Sequence, residues 1–437
     1  MRKKINISIF IVLIFLINLL IISTNRQIKE DYTMENKNRG TIEVWSWNRE
    51  LITSDIIKEF NKKYPDIKVN LITIPNNNNA YTTKLNSTLK SGVGTPDVFL
   101  LESAAVKSIC NKDYCEDLSS KPYNAEKLTK NMFDYAVKLG RNDTDGSIRA
   151  LTWQTTPGGF FYRRSLAKKY LGTDDPKKIQ SMMTTMDDFL ELGEKIKQAS
   201  NGNVKLLSSY SDFETIYRGS REKGWVVDGK LNIDPKMNEE INYVLKAKEN
   251  GYVLGTQQWT SSWTDSMSSD KVFGFMLASW GIGNELMANA PETSGDWAFV
   301  KSPIPFYWGG TWVGLYKNSP KKDLSWKFIE FLTSNEKFLK KYAIDSADCV
   351  NNINVEKQLS KSNEGKYEFL NGQNIYEDYT ELIEHINGDN ISEYDEKLND
   401  LWKNSIELCI DGKIEKDQVI SNFKEKVKEN YPELIQE

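Results

Sequence analysis

Histidine is almost absent from this chain: His385 stands alone among 437 residues. That excludes most His-based catalysis and any multi-histidine metal site. His385 lies in a charged helical stretch, where solvation accounts for it. Cysteine is scarce as well, and the 4 present are too few for a disulfide scaffold. Cys110 and Cys115 are near enough in sequence either to pair locally or to remain free thiols, while Cys349 and Cys409 carry no motif. No excess of positive charge exists. The 57 Lys and Arg residues are outweighed by 61 Asp and Glu, for a net charge of -4. That balance argues against a nucleic-acid surface. A phosphate loop is missing too, since Gly92 and Gly94 lack the following Lys-Ser/Thr. Asp143-Thr144-Asp145-Gly146 opens like a calcium loop but lacks the bidentate Glu at the required offset, so it reads as a tight turn. No cofactor and no metal are expected. With so many carboxylates some pair will always be close, so a two-carboxylate hydrolase is neither named nor excluded.

One long apolar run does occur. Met1-Arg2-Lys3-Lys4 precedes residues 5–22, which are apolar except for Asn6, Ser8 and Asn18. Basic charge followed by such a run is an export signal. The cleavage site is poor, and no cysteine near residue 22 offers a lipid anchor. Residues 1–24 are therefore either a signal peptide cut near Ser23 or Thr24, or a retained N-terminal anchor. Retention is favoured, because 18 residues at about 1.5 Å each approach hydrocarbon thickness. Residues 25–40 are polar and read as a flexible tether. The remaining chain is expected to lie outside the cytoplasmic membrane.

Beyond residue 40 the pattern alternates. Thr41 to Trp45 reads as a strand, and Ser54 as the N-cap of a helix that Pro65 ends. Residues 67–72 alternate with period two, residues 81–90 are helical, and Asp97-Val98-Phe99-Leu100-Leu101 is a short buried strand. This order predicts an α/β fold with a parallel sheet and right-handed crossovers. A later stretch repeats it: helices near 185–197, 238–250 and 323–332, strands near 205–208, 272–277, 297–300 and 313–316. The part from Glu377 onward is helical and charged, with Trp402 and Leu408 on apolar faces.

The 12 tryptophans are the most informative residues. Trp45 and Trp47 end the first strand, Trp153 ends residues 148–152, Trp280 ends residues 272–279, and Trp308 and Trp312 flank Gly309-Gly310. Ligands in open α/β sheets bind outside the carboxyl ends of strands. Flat amphipathic rings gathered there suit a sugar, with its apolar faces and polar edges. A buried tryptophan anchoring the core fits each single ring equally well.

Taken together, these residues resemble the extracellular solute-binding proteins of bacterial ABC transporters, in the carbohydrate-binding family related to maltose-binding protein. Ser91-Gly92-Val93-Gly94-Thr95-Pro96-Asp97-Val98 is similar to that family's S-G-x-x-P-D-V segment, with one extra residue. Asp145-Gly146-Ser147-Ile148-Arg149-Ala150-Leu151-Thr152-Trp153 resembles its D-G-K-x-Y-G-x-P-W hairpin, with Thr152 in place of proline. Gly159-Phe160-Phe161-Tyr162-Arg163-Arg164, Ala278-Ser279-Trp280-Gly281-Ile282-Gly283-Asn284, and residues 310–334 resemble further segments in the same order.

The resemblance implies a two-lobed type II binding-protein fold with a ligand cleft between lobes joined by hinge crossings. The crossings are expected near residues 153–162, 309–312 and 349. One lobe then holds 41–152 plus 312–348 and the other 153–311 plus 349–437. Expected ligand contacts are Trp47, Asn48, Glu102, Trp153, Gln154, Asp212, Phe213, Trp280 and Trp308. The rings would stack on sugars, and the carboxylates and amides would bond hydroxyls. Implied partners are a carbohydrate and the permease subunits of an ABC transporter, with the chain a monomer and not an enzyme. Its place would be the outer face of the cytoplasmic membrane, in a bacterium whose Asn-, Lys- and Ile-rich composition suggests a Gram-positive. A binding protein reporting to a membrane sensor, and an exported glycoside hydrolase, remain the alternatives.

Overall fold

The computed structural model describes residues 39–435. The expected signal or anchor over residues 1–24, and the tether over 25–40 apart from Arg39 and Gly40, lie outside the described residues. No helix among the described residues is long and apolar enough to cross a membrane.

The chain opens with strand β1 (Gly40–Ser46), which buries Ile42 and Val44. Helix α1 (Ser54–Lys63) follows. Its cap is Thr53 rather than Ser54, because the Thr53 hydroxyl accepts the Ile56 N–H at 3.3 Å. Strand β2 (Ile67–Thr73) runs parallel to β1, helix α2 (Ala80–Ser91) crosses back, and β3 (Val98–Glu102) lies parallel on the other side of β1. Helix α3 (Ser103–Cys110) begins directly after β3, and α4 (Asp134–Leu139) leads to the turn at Asp143-Thr144-Asp145-Gly146. Asp143 meets Lys107 at 2.5 Å, and Asp145 accepts from Ser147 and Arg149, so both carboxylates are engaged within the turn and its surroundings. Cys110 and Cys115 are both buried and free. The neighbouring Cys110 and burial push the Cys115 thiol well above its ordinary value.

Strand β4 (Ala150–Thr152) closes this first part, β5 (Gln154–Thr155) leaves it, and β6 (Gly158–Arg163) begins a second sheet. Helix α5 (Met186–Ala199) starts at a capping box of Thr185 and Asp188. Residues 205–208 form no strand; they contribute only the bridges Lys205 to Val272 and Leu207 to Val253. Helix α6 (Ser211–Gly219) and helix α7 (Pro235–Glu249) come next. The latter starts earlier than its apolar pattern suggests, because Asp234 caps it and Pro235 fits the first turn. Strands β7 (Gly274–Ala278) and β8 (Trp297–Lys301) flank β6.

Strand β9 (Thr311–Leu315) then returns to the first sheet, pairing antiparallel with β3 and with β4. Helix α8 (Lys322–Ser334) covers it, and β10 (Cys349–Val350) pairs with β5. Helices α9 (Tyr376–Glu384), α10 (Asp395–Ile410) and α11 (Val419–Asn430) end the chain. Trp402 is buried on α10, whereas Leu408 is only half-buried, since Ile406 and Cys409 hold the inward positions.

The molecule is thus a two-lobed α/β protein. The first lobe is built on a mixed sheet in the order β2-β1-β3-β9-β4, and the second on the antiparallel order β8-β6-β7. The parallel expectation holds for β1, β2 and β3 but not for the second sheet. Strands buried on both faces read as the same apolar runs whichever way they point. A buried ion pair locks the helices of the second lobe: Arg221 meets Asp395 at 2.5 Å, just past α6 and at the start of α10. The guanidinium also lies over the Trp225 ring at 4.7 Å. Asp395→Asn leaves that cation buried without its counter-charge. The expected loss of unfolding free energy is roughly 3–5 kcal/mol, read from chemical denaturation.

Candidate functional site: the cleft between the lobes

Three chain segments pass between the lobes, and a buried carboxylate gathers two of them. Asp348, just before β10, accepts from Gln154 Nε2 at 2.6 Å, Ser279 Oγ at 2.5 Å, its neighbour Cys349 N at 2.8 Å and the Tyr342 hydroxyl at 3.3 Å. Burial pushes its carboxyl up to about 6, against the pull of those donors. The third segment is Gly309-Gly310, with φ of +72° and +107°, values that side chains rarely allow. Across the cleft the lobes touch: α3 packs on α10, and Asn79 Nδ2 donates to Asp400 Oδ2 at 3.5 Å.

A cavity of about 280 Å³ opens between them. Asn76, Asn79 and Glu102 line it from the first lobe, and Arg218, Trp308, Glu396 and Asp400 from the second. Glu102 ends β3 and caps α3, accepting from Ala104 N at 2.8 Å and Ser103 Oγ at 2.6 Å. Two acceptor oxygens leave lone pairs for further donors. Burial pushes the Glu396 carboxyl up to about 7, helped by the charges of Glu102 and Asp400. Arg218 is paired with Glu214 at 2.7 Å on the same helix.

Beside this cavity three indoles assemble. Trp280 and Trp308 meet edge to face with centroids 4.9 Å apart, and Trp259 stacks on Trp280 at 6.0 Å with 20° between planes. The Trp280 N–H donates to the Trp308 carbonyl at 2.9 Å. Gly309 lies between the carboxylate and the indole, where a methyl group would stand in ordinary contact at 3.6 Å from Trp280 Nε1 and 4.0 Å from Glu102 Oε1, so its φ of +72° rather than crowding is what favours glycine there. Trp259 is 58% exposed and holds a φ of +68°. A bulky residue in that region is an outlier that local contacts must hold. The holding contact lies one residue away, where Gln258 Nε2 donates to buried Asp212 Oδ1 at 3.0 Å.

Of the residues expected at the cleft, Glu102 and Trp308 line this cavity and Trp280 stands against it. Trp47 is half-buried in the first lobe, packed on Tyr81 at 5.7 Å. Asn48 and Gln154 line a separate cavity of about 350 Å³ that also takes Asn284 and Tyr342. The Trp280 carbonyl accepts from Asn284 N at 3.0 Å in the turn that follows β7. Three expectations are corrected. Trp153 is fully buried, because the strand end that carries it crosses through the core between the sheets. Phe213 and Asp212 occupy inward positions of α6, with Ile216 and Tyr217 below them. Asp212 therefore presents no oxygen to the cleft and instead supports the loop of Trp259. The face of α6 that lines cavities is Ser211, Glu214 and Arg218, with Glu214 itself buried, a polar stripe at helical spacing that the sequence displays but that its aromatics overshadow. Trp259 was also legible, as a lone indole in the polar stretch 256–262.

Residues 55–348 match the family model described as bacterial extracellular solute-binding protein, and the chain belongs to that family. It is 22% identical over 424 residues to the arabinooligosaccharide-binding protein of Bacillus subtilis (strain 168), covering 92% of this chain and 94% of that one. Two solved structures share the fold. One is the galacto-N-biose/lacto-N-biose I-binding protein of Bifidobacterium longum with lacto-N-biose, at TM-score 0.72, 16% identity, and coverage of 90% and 98%. Another is the ABC transporter-associated binding protein of B. animalis subsp. lactis Bl-04 with β-1,6-galactobiose, at TM-score 0.73, 20% identity, and coverage of 92% and 100%.

Burial pushes the Asp212 carboxyl up to about 7 from an ordinary 3.8, against the pull of Gln258 and of the Ser209 backbone. The folded state therefore holds this proton longer than the unfolded state. Its contribution to stability is fully present below about pH 3.8 and lost as pH rises through about 7. Asp212→Asn is expected to flatten the decline of unfolding free energy between pH 5 and pH 8, measured by denaturant titration at each pH. A companion measurement separates the exposed indole from its buried neighbour. Trp259→Ala should stay within about 0.5 kcal/mol of the parent, whereas Trp263→Ala, fully buried beside it, should lose roughly 3–5 kcal/mol.

Proposed function

We propose that this solute-binding protein captures an oligosaccharide in the cleft between its lobes and delivers it to the permease of an ABC transporter. The observation that carries this reading is the group of Trp259, Trp280 and Trp308 beside a cavity whose polar groups come from both lobes. Indole faces suit the apolar faces of sugar rings. Glu102, Glu396 and Asp400 accept from hydroxyls, Arg218 donates, and Asn79 does both. The relative from Bacillus subtilis supports an arabinooligosaccharide as the first ligand to try.

Closure is the signal to the permease. A ligand bridging Glu102 and Trp308 has more contacts with the closed form and so raises its population. The hinge consists of the β5–β10 pair and Gly309-Gly310. We assign residues 41–152 plus 312–348 to the first lobe and 153–311 plus 349–437 to the second, in keeping with the membership of the two sheets. Trp47, Asn48 and Gln154 are assigned to the hinge side of the cleft. The protein acts as a monomer at the outer face of the cytoplasmic membrane, held by its N-terminal apolar segment.

Glu102, Glu396 and Asp400 place several carboxylates around one cavity, so turnover is the measurement that separates binding from hydrolysis. The purified chain from about residue 40 should quench its tryptophan fluorescence on adding arabinooligosaccharides and return them intact by chromatography. Trp280→Ala should weaken that binding about ten- to hundredfold. Product accumulating in proportion to protein would replace the binding reading with a catalytic one.

A further inference from the structure

Away from the cleft, the second lobe carries a cavity of about 320 Å³ that no residue of the first lobe lines. Its walls are helices α6 and α10. Ser211 and Glu214 come from one side, Lys403 and Glu407 from the other, and Tyr210 and Gln257 close the end. The cleft cavity has the same two walls further along, with Arg218 in place of Glu214 and Asp400 and Glu396 in place of Lys403 and Glu407. On α6 the exchange spans one helical turn, about 5.4 Å, whereas on α10 Glu396 and Asp400 lie about two turns before Lys403 and Glu407. Residue numbers rise toward the cleft on α6 and away from it on α10, so the helices form opposed rails.

The rails share a floor. Helix α7 packs against both of them, and its Glu240 accepts the Trp402 N–H of α10 at 2.8 Å. The Arg221–Asp395 pair sets the spacing at the cleft end. What divides the two cavities is the Glu214–Arg218 pair, which offers acceptors and donors rather than an apolar ridge. Tyr210 adds a half-buried ring, and Gln257 leads within two residues to the exposed ring of Trp259.

We infer that this cavity is a further carbohydrate subsite, so that an oligosaccharide gripped at Trp280 and Trp308 continues along α6 and α10 and out of the cleft. The inference rests on the carbohydrate reading above. It carries a consequence of its own. Units lying here touch one lobe only, so their contacts are equal in the open and closed forms. Such contacts raise affinity without shifting the closed population.

Calorimetric titration of the purified chain with arabinooligosaccharides and β-1,6-galactooligosaccharides, each from dimer to hexamer, tests this. Affinity in the parent should rise with chain length in the ladder that binds. Tyr210→Ala and Lys403→Ala should each weaken the longest member about tenfold and leave the dimer unchanged, with closure by small-angle scattering the same as in the parent. Equal losses at every length, no loss at any length, or affinity independent of length in the parent would overturn the subsite while leaving the cleft reading intact. Failure of every member to bind the parent would bring down the carbohydrate reading and this subsite with it.

Discussion

The Asp348 carboxylate joins what the chain keeps apart. It takes one donor from Gln154 on the outgoing crossing, one from Ser279 at the end of a second-lobe strand, one from Tyr342 of the first lobe, and the N–H of Cys349 on the return crossing. A buried carboxylate with this many donors is costly to leave partly unpaired, so the four segments hold a common geometry. The short β5–β10 pair next to it has only two residues a side. Bending there disturbs few hydrogen bonds, which is what a hinge between rigid sheets needs.

From that hinge the cleft follows. The third crossing runs through Gly309 and Gly310, whose positive φ values turn the chain sharply between Trp308 on the second lobe and Thr311 in the first sheet. Thr311 lies opposite Glu102 in the register of β9 and β3. The carboxylate thus stands beside the indoles although more than 150 residues separate them in sequence. Strand ends, a two-glycine bridge and one antiparallel register account for the meeting.

The tryptophans divide by what surrounds them, not by where they fall along strands. Trp153, Trp280 and Trp308 all follow apolar runs. Trp153 is sealed by the core, while Trp280 is half-buried and Trp308, though largely buried, lines the cleft cavity. Trp259 follows no strand and is the most exposed of the cluster. It is held in an unfavourable backbone state by a buried Gln258–Asp212 bond. Asp212, expected among the ligand contacts, thus works from beneath, on the loop that presents the ring.

Local patterning was enough for much of the architecture. Apolar runs, turn residues and caps located β1 to β3, α5 and α8 to within a few residues, since those signals act between near neighbours. The order of motifs along the chain pointed to the same two-lobed family that the matched relatives confirm. Direction in the second sheet and the separation of core indoles from cleft indoles were decided only by the tertiary structure. Each depends on which distant segment lies against a given side chain, and a single stretch of sequence presents the same apolar residue in both cases.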